Sequence, residues 1–432
     1  MLRRTLGTFD LVLAQILIVV GLNWFGPAAK LGSLHAVYWL AAILLFHFPL
    51  AAVVVHLTKA IPLEGGPYQW AKAAYGETAG FLVAWNFWLF IMCFIATLGL
   101  STAAAIGYAR NAQVDAATTS VIIVSTLVIL GILGFTTSKW LHNAASAALI
   151  LTCLLIIVLP LMTSRELLPR PPAEAFSLMQ LVLFTRIAVY ALAGLEGMAV
   201  VTAETRDGAR SIARATFIAA PCIAAIYILG TESVLRFVKP GEIDLVNPAA
   251  HAFTRAFGGA AASAAILLLV VRDFAQASQA FAVSSRLPLV AGWDRLLPAW
   301  FTRLHPRWRT PVTSIVFAGA VVLIASLMAV SNAERQEAFQ ILQSTAGVFF
   351  ATTYLVMFSI PLLGRIPSPP AIRLAAFFGF AVTLVFGVLL FVPIVEVRSV
   401  ARFAVIIGAA VLIANALGVL QMKMPRLIRK SG

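Results

Sequence analysis

Glu196 and Asp273 are carboxylates set inside long apolar runs, and Arg272 stands directly beside Asp273. A charged side chain facing lipid at mid-bilayer costs about 3 kcal/mol or more, so these groups must face protein or water. There they have two chemistries open to them. They can carry a proton or contact a substrate amine, or they can form a structural ion pair or a packed, protonated acid. Glu196 reads as a gating or proton-coupling residue or as structural support. His47 and His56 could relay protons, but a lone histidine in such a span more often packs helices or sits at the membrane interface. Glu232 lines a pathway or sits near the outer interface. Asp10 fits the start of a helix. Trp85, Asn86 and Trp88 wall a pocket or simply pack.

Glycine and proline mark a second pattern. The run VVGLNWFGPAA is interrupted by Gly21, Gly26 and Pro27, and the run VYALAGLEGMAV by Gly194, Glu196 and Gly197. Irregular backbone at membrane depth must be satisfied by protein, water or a ligand. Interrupted spans in corresponding places of two halves point to a transporter binding site. Close helix packing is the other use of such glycines.

The elements that must position these groups are membrane helices. Of 432 residues, 61% are hydrophobic and only 11% charged, whereas soluble domains carry about 25% charged residues. Twelve apolar segments are predicted, at about 9–25, 35–58, 79–105, 118–135, 142–162, 179–203, 213–238, 259–285, 311–330, 339–361, 372–392 and 403–421. The net charge of +14 lies in short loops, which speaks for positive-inside orientation and against nucleic acid. On the side shared by the termini stand 19 Lys and Arg residues against 10 on the other, which predicts cytoplasmic termini in a plasma (inner) membrane. The basic N-terminus is expected to lead an uncleaved first span. Cys93, Cys153 and Cys222 have no metal-type spacing, so no metal, cofactor or disulfide framework is expected. The chain lacks a GKS or GKT phosphate loop, HExxH and GxSxG, which argues against a pump or an enzyme.

Three stretches carry a family resemblance. Glu64 to Trp88, EGGPYQWAKAAYGETAGFLVAWNFW, resembles a GGxYxW segment leading into a third helix. Leu192 to Thr216 resembles a sixth helix followed by E-x-x-N-P-x-R-x-I-P-R-A, with Gly208 and Ala213 where that pattern prefers proline. Ser284 to Pro311 resembles an R…DGLLP…P-x-x-R-T-P loop. Together they resemble the amino acid, polyamine and organocation transporter superfamily.

That resemblance implies an all-α LeuT-type fold in one transmembrane domain. Two inverted five-helix repeats, about 9–162 and 179–361, would be followed by two extra helices at 372–421, with helices 1 and 6 unwound at midplane. The family's G-S-G-I-F segment falls on Gly21, Leu22, Asn23, Trp24 and Phe25, where Leu22 and Asn23 depart from small residues. A half-helix starting near Trp24 would offer backbone N–H groups to a carboxylate, and Asn23 could lend its amide. Carbonyls freed at Ala191, Leu192 and Ala193, before Gly194, would accept from an ammonium. Tyr190 stands where relatives place a closing aromatic, and Glu196 where many place an acidic gate. Some proton-coupled relatives carry a lysine in the fifth helix, and the fifth span here has none. The expected function is secondary active transport of a zwitterionic amino acid, as proton symporter, exchanger or uniporter. A cationic amine or polyamine transporter, and a transporter-like receptor that binds without transport, are the alternatives.

Overall fold

The computed structural model describes residues 8–63, 65–134, 139–163, 166–172, 176–196, 208–285, 303–308 and 310–430. Gly197 and much of the second and third resemblance stretches lie outside the described residues. Every described element is helical. In chain order they are α1 (Thr8–Val19), α2 (Phe25–Ala29), α3 (Gly32–Ala60), α4 (Pro67–Tyr75), α5 (Glu77–Arg110), α6 (Ala116–Ile132), α7 (Lys139–Met162) and α8 (Leu178–Ala191). There follow α9 (Gly208–Leu235), α10 (Pro248–Ala256), α11 (Gly259–Ser284), α12 (Val312–Asn332), α13 (Arg335–Leu362), α14 (Pro370–Leu389) and α15 (Val400–Lys430).

Helix is the form these sequences must take in lipid, because it satisfies every backbone N–H and C=O within the segment. Among the described residues, eight helices are long and apolar enough to cross a membrane: α3, α5, α9, α11, α12, α13, α14 and α15. Shorter apolar helices occupy Ala116–Ile132, Ser146–Met162 and Leu178–Ala191. All eleven overlap segments predicted from hydropathy. Local signals set their starts. Asp115 caps α6 by accepting the Thr118 N–H at 2.7 Å, and Ser177 caps α8 by accepting the Gln180 N–H at 3.3 Å. The Asp115 carboxyl is held below its usual range by the Thr118 hydrogen bonds.

The chain forms two compact units, neither of which is a sequential half. The first gathers 1–83, 155–252 and 351–389; the second gathers 84–154, 253–350 and 390–432. In the first unit α1 and α2 pack on α9, and α14 packs on α3 and α8. Gly230 lets α9 meet α2 closely, since a Cβ there would run into the ring of Phe25. In the second unit α12 and α11 pack on α6. Leu374, Phe377 and Val388 on α14, and Val405, Leu412 and Leu420 on α15, are exposed apolar side chains suited to lipid.

Candidate functional site

Two interruptions of the backbone organise the first unit. α1 ends at Val19, Gly21 is extended at φ −117° and ψ 123°, and a single 3-10 turn, Leu22–Trp24, leads into α2. The first N–H groups of a helical turn have no partner inside it. Those of Leu22 and Asn23 meet no acceptor among the described residues, whereas the Trp24 N–H reaches the Gly21 carbonyl at 3.1 Å. The second interruption follows α8, which closes in a π-turn, Ile187–Ala191. Leu192 leaves helical geometry at φ −105° and ψ 9°, and Gly194 sits at φ +109°, where a side chain would be strained.

A residue not singled out in the sequence joins the two. The buried hydroxyl of Tyr227, on α9, accepts the Gly21 N–H at 3.0 Å. Its own proton is shared between the carbonyls of Val19 at 2.8 Å and Ala191 at 3.0 Å. The Tyr227 ring is fixed by stacking on Trp39 at 4.1 Å, and the Trp39 indole N–H donates to Thr231 at 3.2 Å. Trp24 and Tyr190 also meet, with ring centroids 5.0 Å apart, and Tyr190 meets Phe386 edge-on at 5.6 Å. Gly21 and Ala191 thus share the Tyr227 hydroxyl and Trp24 meets Tyr190, and the Gly21 N–H already has a partner.

Two further side chains serve the second interruption. His47 lies in a π-turn of α3, Ile43–His47, and its Nδ1–H donates to the Leu192 carbonyl at 2.9 Å. Glu196 is buried, and its Oε2 accepts from the Tyr354 hydroxyl at 2.5 Å and from the Gly194 N–H at 3.2 Å. The carboxylate therefore closes over the backbone at Gly194 and ties it to α13. Tyr227 and Tyr354 gave no signal of their own, because an aromatic in an apolar helix reads as packing.

The remaining candidates take other places. Asp273 and Arg272 belong to the second unit, where both are buried. Arg272 donates to Asp273 Oδ1 at 2.7 Å and Ser101 to Oδ2 at 2.8 Å, so the carboxylate is paired on both oxygens. Asn86 pairs with Asn415 at 2.8 Å, Trp85 donates to the Ala414 carbonyl at 2.9 Å and Trp88 to that of Ser284 at 3.0 Å. These three side chains fasten helices to one another. Glu232, in the first unit, accepts from Arg170 at 2.7 Å and contacts His35 at 3.3 Å, while His56 meets Ser368 at 2.9 Å. No group of three or more His, Cys, Asp or Glu that could hold a metal occurs among the described residues.

Residues 6–414 match the family described as amino acid permease. The chain belongs to that family. Among similar proteins, the permease is 24% identical to an uncharacterised transporter of Legionella pneumophila, over 85% of this chain and 82% of the relative. It is 24% identical to the low-affinity putrescine importer PlaP of Escherichia coli strain K12, over 62% of each chain. It is likewise 24% identical to the mouse cationic amino acid transporter 4, over 86% of this chain and 61% of the relative. The permease is accordingly an integral membrane transport protein and not an enzyme.

Proposed function

We propose that the permease is a secondary active transporter that binds an amino acid at the paired interruptions and moves it by alternating access, on a LeuT-type scaffold of twelve spans. The observation that carries this reading is the Tyr227 hydroxyl, which touches backbone at Gly21 and at Ala191 together. The open N–H groups of Leu22 and Asn23 suit a carboxylate. The carbonyls of Ala191, Leu192 and Ala193, each with lone pairs to spare, suit an ammonium. Trp24 and Tyr190 would flank the substrate. Loop charges support cytoplasmic termini in a plasma membrane.

A second reading, a cationic amine or polyamine as substrate, is favoured by one feature. With the Gly21 N–H occupied, carbonyl acceptors and the Glu196 carboxylate outnumber open donors. The putrescine importer and the cationic amino acid transporter among its relatives favour it too.

Counterflow into proteoliposomes preloaded with leucine, arginine or putrescine separates these readings. An amino acid accumulating, and Asn23→Glu abolishing that accumulation, is the expected result. Unaltered uptake by Asn23→Glu would remove the carboxylate site from the first interruption. Putrescine alone accumulating selects the second reading, and binding without counterflow makes the protein a receptor.

A further inference from the structure

His47 has a second ring nitrogen that the substrate site does not use. A carbonyl can only accept, so the contact with Leu192 places a proton on Nδ1. In the neutral ring Nε2 is then a bare acceptor. It is fully buried and has no hydrogen-bond partner among the described residues. An unpaired buried acceptor is costly, and proteins keep one where it has a use. The ring also sits in a π-turn, an irregularity common at functional sites, and this turn packs against the other π-turn, Ile187–Ala191.

The ionisable groups on the elements packed against it include the buried Arg186 of α8, one residue before the π-turn Ile187–Ala191. On α8, Tyr190 meets Trp24 and Phe386. Arg373, on α14, is exposed. Tyr354, which meets Phe46 on α3, holds Glu196. Further along α3, Tyr38 donates to Gln180 and His56 meets Ser368, while Lys59 is exposed near its end.

We propose that Nε2 of His47 binds the coupling proton, and that this proton and the substrate ammonium compete for the carbonyl of Leu192. This rests on the transport reading above. The sense of coupling follows from charge. Protonation forms an N–H bond at Nε2, leaves the ring cationic and strengthens its hold on Leu192, so an ammonium arriving there meets a more tightly held carbonyl and a like charge. Substrate and proton then occupy the protein in turn, which makes the transporter an exchanger: substrate moves one way and a proton the other.

The test uses the full-length protein in liposomes with leucine, arginine and putrescine as probes, and the same protein in detergent for histidine NMR. His47→Asn keeps an N–H for Leu192 but cannot take the proton, whereas His47→Leu loses both. In the wild type, an acidic interior is expected to raise initial uptake at least threefold over symmetric pH. His47→Asn should retain measurable counterflow and lose this stimulation, and His47→Leu should lose both. Stimulation retained by His47→Asn, or stimulation only by an acidic exterior, overturns the proposal. With six histidines in the chain, the His47 ring signal is identified by its absence from His47→Asn. It should shift when the pH is lowered, as a ring that takes up a proton does. A signal that stays fixed overturns the proposal even if none of the probes is transported, and that latter result alone removes the transport reading instead.

Discussion

In the first unit of the permease, buried polar side chains reach for backbone. Tyr227 serves Val19, Gly21 and Ala191, His47 serves Leu192, and Glu196 with Tyr354 serves Gly194. In the second unit the most polar cluster satisfies itself, with Asp273 accepting from Arg272 and Ser101 on the unbroken helices α11 and α5. The difference lies in what the helices leave open. A continuous helix needs no side chain for its interior backbone, so a buried charge there must find a side-chain partner. An interrupted helix exposes N–H and C=O groups that a side chain can hold without consuming them all. In the first arrangement the N–H groups of Leu22 and Asn23 meet no acceptor among the described residues.

Breaking the second cluster should have the largest effect. Arg272→Met leaves Asp273 buried without its cation and is expected to cost about 3–5 kcal/mol, read as loss of monodisperse protein and a lowered thermal midpoint. The pair Arg272→Met with Asp273→Leu should recover folding and retain counterflow. Recovery of fold with counterflow abolished would move the transport chemistry toward this pair.

Tyr227→Phe comes next. The ring still stacks on Trp39, but three backbone groups lose one hydroxyl, at an expected cost of about 1–3 kcal/mol in thermal or denaturant unfolding. Counterflow should fall at least tenfold, more than the stability loss explains. A variant that transports normally would show that the shared hydroxyl does not organise the site.

Glu196→Gln sharpens the contrast within the first unit. The amide oxygen can still accept from Tyr354 and Gly194, so folding should change little. If the carboxylate serves only to hold Gly194, KM for leucine should move less than threefold. A larger increase confined to arginine and putrescine would make the charge a substrate contact.

The smallest effect is expected at the α6 cap. Asp115→Ala should lower the thermal midpoint by a degree or two at neutral pH without altering transport. Because hydrogen bonds to Thr118 lower the folded carboxyl's titration point, the cap contributes fully above about pH 4, near the unfolded aspartate value. Its contribution fades as pH falls through the lower folded value, so the wild type and variant should converge in acid.

The apolar helices and the residues that break their pattern were legible because their signals are local. Apolar length marks a membrane helix, and Gly21, Gly194 and Glu196 are out of place in one. What lies between the interruptions was not legible. Tyr227 and Tyr354 become visible as ligands of backbone only when residues 206 and 160 positions away are brought to them. His47 read more readily as packing than as a relay, because its partner is a carbonyl, which every residue has. Trp85, Asn86 and Trp88 show the converse: a polar aromatic cluster of promising composition is spent on fastening helices. Composition reveals that a buried polar group needs a partner, and only the fold reveals whether that partner is a side chain or an opened backbone.

The most direct test of the substrate site at the paired interruptions is substrate protection at Asn23. In a Cys222→Ser background, which removes the exposed native thiol, Asn23→Cys would be alkylated in liposomes with and without saturating leucine, arginine or putrescine. The account predicts that whichever compound shows counterflow slows labelling of position 23 several-fold, while compounds that are not transported leave it unchanged. An equal labelling rate in the presence of a transported substrate would contradict it and place the substrate elsewhere in the permease.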